Sequence, residues 1–150
     1  MAIVSMIEAS GCIFLSLDTG KILLQQRGSK VKHPNTWGFF GGKSEGNERP
    51  SETLYREIYE ELGTLPNILK VIPLNKFTSP NKKFEYHSFV CIVQKEFIPI
   101  LNEESNGYAW VKIGNYPSPL HPGANIQLRD NEFTKKVKLI YKTHKEVAIP

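Results

Sequence analysis

Three glutamates, Glu57, Glu60 and Glu61, fall on one helical turn of the segment GGKSEGNERPSETLYREIYEELG, residues 41–63. Side chains three and four apart share a helix face, so Glu57 meets both of the others. Like charges at that spacing destabilise a helix by roughly 0.2–0.5 kcal/mol per pair. The turn lies near the C-terminal end of its helix, where the negative end of the macrodipole adds to the repulsion. Arg56 can offset Glu60 or Glu52, but nothing at helical spacing answers Glu57 or Glu61. In a half-buried setting, two carboxylates about 4 Å apart repel by roughly 4 kcal/mol at an effective dielectric of 20, a cost that a bound divalent cation removes. Oxygen-only ligands suit Mg2+ or Mn2+, and Mg2+ characteristically binds through one or two carboxylates together with substrate phosphates. The spacing points to metal-assisted chemistry on a polyphosphate; the competing reading is an acidic helix end with no ligand. Gly41 and Gly42 add weight to the first, because they let the backbone approach a ligand and turn a carbonyl to a cation, although turns also use Gly-Gly constantly.

Positioning that turn requires a helix and a surface beneath it. SETLYREIYEEL places Leu54, Ile58 and Leu62 at i, i+4 and i+8, with Pro50 in the first turn and Gly63 at the stop, which predicts a helix with one apolar stripe. Before it, CIFLSLDTGKILLQQR reads as two apolar strands about an Asp-Thr-Gly turn, and KVKHPNTWGFFGG as a loop closing on a short strand. After it come strand-like segments near residues 68–78 and 84–98, then GYAWVKI, the proline-rich loop NYPSPLHPGAN and an amphipathic helix from about Asp130. Strands and helices interleave, with hairpins at the start and in the middle, so the expected class is α/β: a mixed sheet covered by helices on both faces.

Composition bounds the rest. At 150 residues and 17.1 kDa the chain suits a single domain over 1–150. No apolar run approaches the roughly 20 residues a bilayer span needs, so no membrane partner is expected. The N-terminus lacks a basic start and carries Glu8, which argues against a secretion signal and for a cytoplasmic protein. Cys12 and Cys91 lie in apolar strand-like runs and read as small buried hydrophobes. The net charge of +4 owes part of its excess to Lys135, Lys136, Lys138, Lys142 and Lys145. With Phe133, Val137, Ile140 and Tyr141 inward, these lysines read as the solvated face of the last helix, with a nucleic-acid patch as the alternative. His33, His87, His121 and His144 share no ligand spacing and read as structural or exposed.

The acidic stretch resembles the signature of the Nudix hydrolases, G-x5-E-x7-R-E-U-x-E-E-x-G-U with U a bulky aliphatic residue, and Gly42, Glu48, Arg56, Glu57, Ile58, Glu60, Glu61 and Gly63 fall in register. Thr64 departs at the last position, and Arg49 stands before Pro50 where family members often have a capping Thr or Ser. A hairpin ending in Arg27, Trp37 before the loop and a late strand with Trp110 agree with the family as well. The resemblance implies the Nudix fold, an α/β/α sandwich around a mixed β-sheet. It also implies a hydrolase that cleaves a nucleoside diphosphate linked to another group, with Mg2+ or Mn2+ as cofactor. By position it implies Glu57, Glu60, Glu61 and the Gly41 carbonyl as metal ligands, Glu57 or a later glutamate as general base, and Arg56 with Glu48 as an ion pair orienting loop and helix. Glu103 or Glu104 stands where some relatives have a further glutamate, and the spacing to Trp110 favours Glu104. On the substrate side it points to Arg27, Trp37, Phe40 and Asn125, whose plainer roles are a strand-end cation, two core aromatics and a cap. The expected substrate is a small-molecule nucleotide, foremost a nucleoside triphosphate, oxidised purine deoxynucleotides included, yielding a monophosphate and pyrophosphate. A nucleotide sugar such as ADP-ribose and a capped RNA are the alternative substrates, the latter supported only by the basic tail. A nucleotide-sensing domain without turnover is the non-enzymatic alternative, and the intact carboxylate set speaks against it.

Overall fold

A computed structural model describes residues 6–148. β1 (Ile7–Ser16) and β2 (Ile22–Arg27) form the expected hairpin, pairing Phe14 with Leu23 and Leu15 with Ile22 next to the turn. Beyond those pairs the two strands part, and the segment 37–43 fills the gap. Its first part, β3 (Trp37–Gly38), pairs with β2, and its second, β4 (Phe40–Lys43), pairs with β1. This wedge carries Gly41 and Gly42 into the sheet. β5 (Ile68–Thr78) and β6 (Phe84–Val93) make a second hairpin, and β6 runs parallel to β1 from Ile7↔Phe84 to Ser16↔Val93. β7 (Ser105–Val111) lies antiparallel on the other edge of β2. The sheet is therefore mixed, in the order β3-β2-β1-β6-β5.

Alternation along a strand sends successive side chains to opposite faces, and β1 serves two cores. Cys12 and Phe14 pack with Phe40 and Cys91 beneath Leu54, Ile58 and Leu62 of α1 (Pro50–Leu62). Ile13 and Leu15 pack on the other face with Ala124 and Leu128 of α2 (Pro122–Leu128) and Phe133 and Val137 of α3 (Asn131–Ala148). The result is the expected α/β/α sandwich. Each apolar side chain of the α1 stripe is fully buried, worth about 1.5–3 kcal/mol apiece. The helix begins at Arg49, whose backbone N–H donates to Glu52 Oε1 at 2.9 Å, so Glu52 supplies the bond that an N-terminal Ser or Thr would have complemented. It stops at Gly63, left-handed at φ 69°, whose N–H bonds the Tyr59 carbonyl.

Two expectations are corrected. β6 ends at Val93 instead of running on to residue 98. Phe97 is still a core residue, edge-on to Phe14 and Trp110, but it reaches them from a loop, and Ile98 and Ile100 are solvent-exposed. The proline-rich segment read as a loop contains the start of α2: Pro122 takes the first helical position, where its missing N–H costs nothing, and His121 Nδ1 caps the helix by accepting from Gly123 N at 3.0 Å. Cys12 and Cys91 are free and buried, as expected, and burial pushes the Cys12 thiol well up. Among the described residues no helix is long and apolar enough to cross a membrane.

Candidate active site

The C-terminal half of α1 lies over β4; Gly42 is what allows it to come so close, and Gly41 lets β4 close onto β1. At Gly41, φ is +150° and a Cβ would sit 2.1 Å from the Ser10 carbonyl; at Gly42 it would sit 2.4–2.6 Å from the Glu57 carboxylate. A side chain at Gly41 would push β4 off β1, and one at Gly42 would displace the Glu57 carboxylate. Into this contact Glu61 points inward: Oε1 accepts from Gly41 N at 3.1 Å and Oε2 from Gln25 Nε2 at 3.0 Å. Burial pushes its carboxyl up to about 8; the Gly41 and Gln25 hydrogen bonds oppose the shift, and the charges of Glu57 and Glu104 reinforce it. Glu57, mostly buried over Gly42, is raised as well, again chiefly by burial, with Arg56 pulling the other way.

Arg56 is the one cation in this turn, and it reaches further than helical spacing indicates. Its Nε and Nη2 grip Glu48 at 2.7 and 3.0 Å, Nη1 bonds Glu57 at 3.0 Å and Glu60 at 3.2 Å, and Nη2 also bonds the Lys43 carbonyl at 2.8 Å. Glu57 is thus answered by its immediate neighbour, contrary to the expectation from helical spacing, because Nη1 of the long arginine side chain reaches Glu57 and Glu60 together. Glu48 accepts further from Glu45 N at 2.8 Å and Thr53 Oγ1 at 3.0 Å, and the Arg56 bonds hold its carboxyl down at about 2. The expected ion pair between loop and helix is present as a two-pronged clamp. The donors of Arg56 are committed to the carboxylates of Glu48, Glu57 and Glu60 and to the Lys43 carbonyl.

The three glutamates do not close into one cage. Glu60 is drawn to Arg56 with its side chain 52% exposed, while Glu57 and Glu61 face Gly41 and Gly42. Two half-buried carboxylates, both pushed toward the neutral form, with oxygen-only donors around them, fit a hard divalent cation that binds through one or two carboxylates and keeps several waters. The Gly41 group that meets Glu61 is its amide. Glu104 lies just before β7 with its side chain exposed, and its charge is felt by Glu61. Its loop is docked on the helix end through Asn102 Nδ2 to the Glu60 carbonyl at 3.4 Å.

Gln25 escaped the sequence reading. It is 7% exposed, and its amide donates to Glu61 and to the Phe39 carbonyl while Oε1 accepts from Ser105 Oγ. One signal was available. Gln25 follows Leu23 on the inward face of β2, where the period of two calls for an apolar residue.

The substrate-side residues separate. Phe40 is 0% exposed and edge-on to Phe14 in the α1-side core, so it offers no face to a base; this corrects the expectation of a substrate contact. Trp37 is partly buried against the α2/α3-side core, with its carbonyl accepting from His121 N at 2.8 Å. Arg27 Nε donates to the Lys32 carbonyl at 2.7 Å, and its charge, after burial, helps to depress His121 to about 4. Asn125 lies on α2, with Oδ1 accepting from Arg129 Nε at 2.6 Å, and lines a polar pocket with Tyr116, Arg129 and Lys138. That pocket is on the sheet face opposite α1, and Asn125 is not brought to the acidic turn.

A mixed sheet between helices carries paired buried carboxylates over the two glycines of β4, and the family match and named relatives that follow make the chain a hydrolase acting on phosphoric anhydride bonds. The family model described as NUDIX domain matches residues 7–130, and the chain belongs to that family. It is 30% identical over 114 residues to a dihydroneopterin triphosphate diphosphatase of Haemophilus influenzae, an alignment spanning 66% of this chain and 70% of the relative. It is 31% identical over 112 residues to the nucleoside triphosphatase NudI of Escherichia coli, spanning 67% and 79%. Its fold is that of the Nudix hydrolase RenU from M. smegmatis, at a TM-score of 0.66 and 19% identity over 98% of this chain and 88% of the other.

Proposed function

We propose that this protein hydrolyses a nucleoside triphosphate or a closely similar triphosphate to the monophosphate and pyrophosphate, with Mg2+ or Mn2+ held by Glu57 and Glu61 and aided by Glu60 and Glu104. The observation that carries the reading is the Glu57 and Glu61 pair, buried over Gly41 and Gly42, in which Arg56 reaches Glu57 while Glu61 is met only by the neutral donors Gly41 N and Gln25 Nε2. Two relatives whose names specify triphosphate cleavage support the substrate class. When bound, the cation would neutralise phosphate charge and lower the pKa of a coordinated water. The protein does the rest. Gly41 N and Gln25 fix the Glu61 carboxylate, Arg56 fixes Glu57, and the Glu48–Arg56 clamp holds the loop against the helix. Water adds to a phosphorus, the bridging P–O bond breaks, and one proton of the water passes to a carboxylate of this cluster. Glu57 and Glu104 are the candidates, since Glu61 is already engaged by two donors. Incubation with a panel of nucleoside triphosphates, dihydroneopterin triphosphate, nucleotide sugars and capped RNA, scored by product, tests the proposal. The expected products are a monophosphate and pyrophosphate from a triphosphate, abolished by chelation; undiminished turnover in excess chelator would overturn it.

A further inference from the structure

The parallel pairing of β1 and β6 assembles a second group of ligand-type side chains. Glu85 and His87 stand two apart on β6 and so share a face, and Glu8 is the direct neighbour of Glu85 on β1. His87 Nε2 is buried and has no hydrogen-bond partner, although it faces Glu8 Oε1 at 3.7 Å and Glu85 Oε2 at 3.9 Å. An imidazolium paired with either carboxylate would close to about 2.7–2.9 Å. The wider separations are those of ligand atoms around a shared ion: bonds of about 2.0–2.2 Å place neighbouring ligands roughly 3–4 Å apart. Among the described residues this is the one set of three such side chains whose ligand atoms all lie within 4.8 Å of one another.

We propose that Glu8, Glu85 and His87 bind a divalent transition-metal ion of the Zn2+ or Co2+ class, at a site separate from the acidic turn. One imidazole nitrogen with two carboxylate oxygens is a mixed donor set that favours such ions over Mg2+, which takes oxygen alone. Lys76 Nζ, 3.3 Å from Glu85 Oε1, occupies the oxygen not facing His87 and leaves Oε2 turned toward the cluster. The Glu8 side chain is 40% exposed, which opens a path for the ion and room for a water ligand. The site is anchored where the Glu8 carbonyl accepts from Ser44 N at 2.8 Å, just past β4 and three residues along the chain from the Gly41 amide that holds Glu61.

The test is titration of the full chain with Co2+ in excess Mg2+, which occupies the oxygen-only site, followed by calorimetry and visible absorption. Wild type and Glu61→Gln should each bind one equivalent, and His87→Gln and Glu85→Gln should each weaken binding by at least about tenfold. In the wild type, NMR should show His87 as the histidine whose ring signals are lost on Co2+ addition, a readout that holds even where a variant folds poorly. No Co2+ uptake by the wild type in excess Mg2+, undiminished uptake by folded His87→Gln, or loss of another histidine's signals in place of those of His87 would overturn the site.

Discussion

Replacing Glu61 with Gln should make the metal-free protein more stable at alkaline pH and slightly less stable at acid pH. The folded chain holds the Glu61 proton up to about 8, against an ordinary value of 4.5, chiefly through burial. Because the folded value lies above the unfolded one, the folded state binds the proton more tightly. The resulting stability is complete below about pH 4.5 and is lost as pH rises through 8, a span worth on the order of 5 kcal/mol. Glutamine does not titrate, so this slope disappears in the variant. Its NH2, however, must face either Gly41 N or Gln25 Nε2, both donors, and one lost hydrogen bond costs about 1 kcal/mol. Glu57 is present in both chains, so the difference between them reports Glu61 together with its coupling to Glu57. In chelator, the two stability curves should cross: Glu61→Gln lower by about 1 kcal/mol near pH 5 and higher by roughly 3–4 kcal/mol near pH 9, or about 10 °C in melting temperature. Added Mg2+ should reverse the alkaline order by binding only the folded wild type with full affinity. Parallel curves in chelator from about pH 5 to 9 would refute the assignment of a buried, raised carboxyl to Glu61.

Three further outcomes follow from the same geometry. Glu48 is held at about 2, below its ordinary 4.5, so its stabilisation is present above pH 4.5 and lost as pH falls through 2; Glu48→Gln should lower the melting temperature at neutral pH and flatten the acid limb of the stability curve. Gly42→Ala places a Cβ against the Glu57 carboxylate and should cut turnover by about two to three orders of magnitude while leaving the fold intact, measured as kcat beside a circular dichroism melt. Phe40→Ala should cost about 3–5 kcal/mol in urea denaturation, in keeping with a fully buried aromatic and not with a substrate contact.

Much of this molecule could be read locally. The α1 stripe, its Pro50 start and Gly63 stop, the first hairpin and the crowding of Glu57, Glu60 and Glu61 all depend on residues within a turn or two of one another, where period and propensity act directly. The Glu48–Arg56 clamp was implied by the resemblance to the Nudix signature and not by helical spacing, which paired Arg56 with Glu60 or Glu52, because Glu48 lies in the loop before the helix. The end of β6 and the existence of α2 were not legible, because apolar residues such as Phe97 pack equally well from a loop as from a strand, and a proline that breaks a helix interior also begins a helix. What only the tertiary structure decided is which distant residues share a face and how far each is from water. Gln25 on β2, Gly41 on β4 and Glu61 on α1 meet because the wedge of residues 37–43 parts β1 from β2, and burial there, not sequence spacing, moves the Glu61 carboxyl to about 8. Strand pairing buries Phe40 in the α1-side core and brings Glu8 beside Glu85 and His87 across a parallel register, and the packing of α2 through Ala124 and Leu128 puts Asn125 on the opposite face. Side-chain chemistry and short-range periodicity are written along the chain; desolvation and cross-strand neighbours arise only once the sheet has formed.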